Sequence, residues 1–169
     1  GANDGVLLKS LRELGICGVG IDPSPELAGH EVSIIPGFFN QSTLDEALRA
    51  VAAMRNHWDT HLILIANNVL AHIDDLVGVF TLAAQAKFHT VVLEVQYLPA
   101  MLATAQFDNI YFEHLFYWSL NSLQRVLNYA GLHVFDAERV DTHGGSLRVY
   151  AHQSKATQGF HPGLDQIRR

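Results

Sequence analysis

The stretch His133-Val134-Phe135-Asp136-Ala137-Glu138-Arg139-Val140-Asp141-Thr142-His143-Gly144-Gly145-Ser146-Leu147-Arg148-Val149-Tyr150-Ala151-His152 reads as two strands, 133–141 and 147–152. β-Branched and aromatic residues favour the pleated conformation on both sides. The link through Thr142-His143-Gly144-Gly145 leaves no room for a crossover helix, so the pair is expected to be antiparallel. It also ends the regular pattern of the chain, which points to a hairpin at a sheet edge.

Upstream, helical and strand periodicities alternate. Residues 4–14 read as a helix, with Val6, Leu7, Leu8, Leu11 and Leu14 as an apolar stripe and Gly15 as its C-cap. A short buried strand over 16–21 ends at Asp22-Pro23-Ser24, and a second strand over 32–35 is closed by Pro36-Gly37. A helix over 43–56 carries Leu44, Leu48, Val51 and Ala52 on one face. The run 61–66 is apolar throughout, as in strands buried on both faces of a parallel sheet. An amphipathic helix over 73–86, a strand over 89–95 and a helix over 119–130 ending at Gly131 complete the series. Such alternation predicts a doubly wound α/β sheet with ligands at the carboxyl ends of its strands.

With 169 residues, the chain has the size of one domain, expected over 1–152, with 153–169 as a linker or the start of a further domain. A formal net charge of -6 argues against a general nucleic-acid binder, which needs a basic surface to hold phosphates. No apolar run approaches the roughly 18 residues of a membrane span, and a cytoplasmic location is the default expectation. One cysteine, Cys17, excludes an internal disulfide and a cysteine-rich metal site. No metal is expected. The chain opens without Met, and Gly1 already stands where a glycine loop should follow a strand. The expectation is a segment of a longer chain whose first, central strand is missing.

Glycines after a strand let backbone approach a ligand, and the helix that follows offers free N–H groups. Gly1-Ala2-Asn3-Asp4-Gly5 has this form but lacks the third glycine of a dinucleotide fingerprint, which weakens a dehydrogenase reading. Asp22 lies 17 residues after Gly5, at a strand end where a carboxylate can accept from both ribose hydroxyls. A helix N-cap is the alternative for Asp22-Pro23-Ser24, and the pairing with the glycine loop favours ribose. Phe38 and Phe39 follow the next strand and suit either an adenine face or the core. Asn67 and Asn68 end another strand, and they suit either a ligand or the loop backbone. His57 and His61 have the spacing of a helical metal pair, but a strand should begin between them.

Four motifs, Gly1-Ala2-Asn3-Asp4-Gly5, Asn67-Asn68-Val69-Leu70-Ala71-His72, Tyr111-Phe112-Glu113-His114 and Thr142-His143-Gly144-Gly145-Ser146-Leu147-Arg148, together resemble one family. It is the sugar C-methyltransferases, which methylate a ring carbon of nucleotide-linked keto-sugars with S-adenosylmethionine. The resemblance runs from residue 1 to about 150. It implies a class I methyltransferase-like (Rossmann-like) fold, whose closing antiparallel pair agrees with the reading above. It also implies flanking domains, a small zinc-binding one before this region and another after it.

The resemblance assigns roles residue by residue. Gly1, Asn3, Asp4, Gly5, Asp22 and Pro23 are expected around the cofactor's nucleoside, and Asn67 and Asn68 near its methionine part. Carbon methylation beside a ketone needs a base for the weakly acidic proton and donors for the enolate oxygen. By resemblance His114 is that base, with Tyr111 and Glu113 around the same pocket and His72 donating to the enolate or to a sugar hydroxyl. Were 111–114 extended, Tyr111 and Glu113 would share one side and His114 would point to the other. Phe112 stands where the family more often has His. His143 and Gly144 are expected along the sugar-nucleotide groove, with Arg148 reaching a phosphate, although a plain hairpin turn with a solvated Arg fits the same residues. The leading expectation is methyl transfer to a ring carbon of a nucleotide-linked 4-keto-hexose. The alternatives are a small-molecule O- or N-methyltransferase and a cofactor-binding fragment without turnover.

Overall fold

The computed structural model describes residues 1–24, 32–54, 61–153 and 162–168. His57 therefore lies outside the described residues. The chain divides into two compact units, Gly1–Thr60 and His61–Arg169.

In the first unit, α1 (Val6–Glu13) follows the glycine loop, and β1 (Gly20–Asp22) pairs in parallel with β2 (Ile34–Pro36), placing Asp22 opposite Pro36. α2 (Gln41–Ala53) begins two residues earlier than its periodicity predicts because Asn40 caps it. The Asn40 side chain accepts from Thr43 N at 3.1 Å and the Thr43 hydroxyl accepts from Asn40 N at 3.1 Å, a reciprocal capping box. Leu44 and Ala47 are its buried face. The strand expected over 16–21 is shorter, since it is ordered only where β2 supplies ladder partners. The leucine stripe of α1 contains no fully buried residue, and Val6 and Leu14 are exposed. Phe38 is exposed rather than core.

The second unit contains β3 (Ile63–Asn67), α3 (Leu76–Gln85), β4 (Thr90–Gln96), α4 (Leu98–Ala103), α5 (Leu120–Tyr129), β5 (His133–Val140), β6 (Ser146–His152) and α6 (Pro162–Arg168). Its sheet has the order β3-β4-β6-β5. β3 and β4 are parallel, whereas β6 runs antiparallel to both neighbours, so the closing pair is as the sequence predicts. Val91, Leu93 and Val95 of β4, Leu147, Val149 and Ala151 of β6, and Leu123 and Leu127 of α5 form the centre of the core.

Several expectations change here. β3 is not buried on both faces: it pairs with β4 alone among the described residues, and Ile63 and Ile65 are exposed. α3 starts at Leu76 because Asp75 accepts from Gly78 N at 2.8 Å and caps it, while Leu70–His72 forms a separate 3-10 turn. α4, with a proline in its first turn, had no periodic signal. Within the stretch read as linker, α6 packs on β5 and buries Ile167. Among the described residues no helix is long and apolar enough to cross a membrane, and no three metal-ligating side chains cluster.

Candidate active site

In the first unit the glycine loop and the end of β1 are tied together by one carboxylate. Asp22 is buried; its Oδ2 accepts from Asn3 N at 2.9 Å and its Oδ1 from Ser24 N at 2.9 Å. Burial pushes this carboxyl up, while the N–H groups of Ser24, Asn3 and Ala2 pull it down, and it lies below the usual carboxylate range. The side chain is thus an ionised acceptor with lone pairs to spare. Asn3 and Gly5 both have positive φ, 50° and 75°. At Gly5 a Cβ would also run into the Val32 side chain, so only glycine fits this turn. Gly5 provides no side-chain cap to α1, and Asp4 accepts from Val6 N at 3.2 Å. Pro23 is exposed beside Asp22.

In the second unit a cavity of about 280 Å³ collects Asn68, His72, Tyr111, His114 and His143, together with Gln96, Asn109 and Trp118. Residues 111–114 are not extended. His114 N donates to Tyr111 O at 3.0 Å, closing a turn. The turn brings Tyr111, not Glu113, against His114: the phenol oxygen is 2.7 Å from Nε2. His114 Nδ1 lies 3.1 Å from the Asn109 carbonyl. A carbonyl can only accept, so Nδ1 carries the proton and Nε2 holds the lone pair that receives the Tyr111 hydroxyl. His72 is fixed in the same way, with Nδ1 donating to the Glu113 carbonyl at 3.0 Å, and its ring is 4.9 Å from that of His114. In neutral His72 the acceptor is therefore Nε2, which donates only as the imidazolium. Glu113 serves through its carbonyl, and its side chain is exposed.

The sequence matches the family described as a methyltransferase domain over residues 1–137. This chain belongs to that family. The methyltransferase domain is 33% identical over 175 residues to the C-methyltransferase NovU of Streptomyces niveus, a match covering 99% of this chain and 40% of that protein. The chain thus spans well under half of this curated relative. Among solved structures, mitomycin 7-O-methyltransferase MmcR is similar with a TM-score of 0.65 at 15% identity, over 91% of this chain and 47% of that one. An S-adenosylmethionine-dependent methyltransferase of Archaeoglobus fulgidus gives 0.61 at 13%, over 90% and 83%. The O-methyltransferase NcsB1, solved with S-adenosylmethionine and a naphthoic acid, gives 0.62 at 20%, over 90% and 46%. These likenesses establish the class I methyltransferase fold expected from the sequence.

Arg148 of the methyltransferase domain does not reach out as a free cation. It faces Glu94 across the β4–β6 pair and Glu138 across the β5–β6 pair. Its Nη2 and Nε lie 2.8 and 3.1 Å from Glu94 Oε2, and its Nη1 lies 3.1 Å from Glu138 Oε1. Register decides this outcome, and register cannot be read from a lone Arg after a turn. Gly144 belongs to the turn carrying His143, whereas Asn67 is exposed beyond the cavity wall.

Glu94 belongs to none of the motifs named above. It is a buried carboxylate whose Oε1 accepts from Thr142 Oγ1 at 2.8 Å and from Asn68 Nδ2 at 3.5 Å. Burial pushes its carboxyl up. Hydrogen bonds from Thr142 and Arg148, the Arg148 charge and Asn68 together outweigh burial and hold it below the usual range. One acid inside the apolar run Thr90-Val91-Val92-Leu93-Glu94-Val95 was the available signal, since a buried charge needs partners. Asn68, at φ 53°, keeps its Oδ1 buried without a partner, and Trp118 Nε1 is a second orphan on the same cavity. Buried orphans of this kind suit a ligand that brings its own donor and acceptor.

Proposed function

We propose that this domain transfers a methyl group from S-adenosylmethionine to a ring carbon of a nucleotide-linked 4-keto-hexose, with His114 as general base. The observation that carries the reading is the contact of His114 Nδ1 with the Asn109 carbonyl, which in a neutral ring leaves the lone pair to Nε2, in a residue that lines the cavity. The similarity to a C-methyltransferase over nearly the whole chain supports carbon as the acceptor.

The Asp22 carboxylate is suited to accept from ribose hydroxyls, beside the start of α1. S-adenosylmethionine, when bound, supplies an electrophilic methyl on a sulfonium for the nucleophilic carbon. His114 Nε2 takes the proton from the carbon next to the ketone, and the bonding pair moves into the enolate. For that, the Tyr111 hydroxyl turns away from Nε2 and becomes a donor for the enolate oxygen. His72 Nε2 accepts from a sugar hydroxyl, and the imidazolium of His114 later releases its proton to solvent.

The test uses the full-length protein and a nucleotide-linked 4-keto-hexose in deuterium oxide. The expected result is exchange of the ring proton beside the ketone, abolished in His114→Gln while S-adenosylmethionine binding persists. Methyl transfer to oxygen or nitrogen without such exchange, or full turnover in His114→Gln, overturns the reading.

A further inference from the structure

His143 holds its backbone at φ 50°, a left-handed conformation unfavourable for a residue with a Cβ, and this residue lines the cavity. Something must hold it there. Thr142, on one side, donates its hydroxyl to the buried Glu94 carboxylate at 2.8 Å. Gly144, on the other, offers its carbonyl to Gln106 Nε2 at 2.7 Å. A Cβ at Gly144 would stand 2.6 Å from Gln106 Oε1, so the amide packs flat on the turn. Gln106 is in turn held by Asn109 Nδ2, which donates to Oε1 at 3.0 Å, and Asn109 is the residue whose carbonyl fixes His114. Gln96 Nε2 donates to Asn109 Oδ1 at 2.8 Å and anchors this chain of amides to the end of β4.

We propose that Glu94 and Gln106 are positioning residues that clamp the Thr142–Gly145 turn from two sides and so fix the imidazole of His143 in the cavity, in register with His114. The importance of that imidazole for methyl transfer rests on the function proposed above; the clamp itself does not.

The experiment compares Thr142→Val, Thr142→Ser, Gln106→Leu and His143→Ala in the full-length protein. Histidine ring carbon–proton spectra identify the His143 signal by its loss in His143→Ala. In Thr142→Val and Gln106→Leu that signal should shift or split while those of His61, His89 and His133 stay, and Thr142→Ser should restore the wild-type position. An unchanged His143 signal in both variants overturns the clamp, whether or not the protein methylates a keto-sugar. For turnover, Thr142→Val should lower kcat/KM about tenfold, the scale of one hydrogen bond to a charged acceptor. Thr142→Val/His143→Ala should then be no worse than His143→Ala alone. Additive losses overturn the claim that the clamp acts through His143, and absence of methyl transfer in the wild type overturns the functional reading while the spectra still decide the clamp.

Discussion

The Tyr111 hydroxyl lies 2.7 Å from His114 Nε2, and the opposite ring nitrogen is held by the Asn109 carbonyl at 3.1 Å. The imidazole is thereby oriented from both sides, and the phenol marks which nitrogen carries the lone pair. Tyr111→Phe removes the marker and the proposed donor but leaves His114, the proposed base. We expect kcat to fall about 10²-fold, the usual scale for a positioned proton donor, with little change in S-adenosylmethionine affinity. Turnover assays beside calorimetric titration decide this; an unaltered kcat would show that the hydroxyl is idle.

Asp22 holds the glycine loop through the N–H groups of Asn3 and Ser24. Asp22→Asn replaces one acceptor oxygen with an NH2 group that opposes a backbone donor. Calorimetry should show S-adenosylmethionine binding weakened by about tenfold or more, since a charge-assisted acceptor is lost. Equal affinity in the variant would remove Asp22 from the cofactor site.

Arg148 neutralises a carboxylate that is almost fully buried. Arg148→Ala strands that charge, and urea unfolding should show a loss of about 2–3 kcal/mol, the order for an unpaired buried carboxylate. Arg148→Lys should recover part of it, because one ammonium cannot reproduce a guanidinium shared between Glu94 and Glu138. If Arg148→Ala were as stable as wild type, the pair would be a surface ornament.

Glu94 also sets an acid limit. Its folded-state carboxyl titrates below its ordinary value, so the ionised form binds better in the folded state. The resulting stability is fully present above the ordinary carboxylate range and is lost as pH falls through the lower, folded value. Thermal midpoints measured from about pH 6 down to about pH 3 should fall steeply in wild type and less steeply in Glu94→Gln. Parallel curves would mean that other carboxylates govern acid unfolding.

Much of this was legible in the chain. The alternation of periods and the short link at Thr142–Gly145 led to the mixed α/β arrangement, because side-chain spacing and connection length are local properties. Element starts were less legible: α2 and α3 begin where Asn40 and Asp75 find the N–H groups of Thr43 and Gly78. Those caps are local too, and they set both boundaries.

Local periodicity sufficed for most of the alternating elements and for the closing antiparallel pair, while α4 and α6 lay outside it; the resemblance, not periodicity, put His72 and His114 with Tyr111. What those side chains are free to do came from long-range packing. A turn rather than a strand at 111–114 brought Tyr111 against His114, which an extended segment would have pointed to the opposite side. Strand register placed Glu94 and Glu138 opposite Arg148 and took that cation out of the groove. The reason is physical: pairing across strands joins residues 54 and 10 positions apart, and no local pattern encodes which partner a buried charge will find.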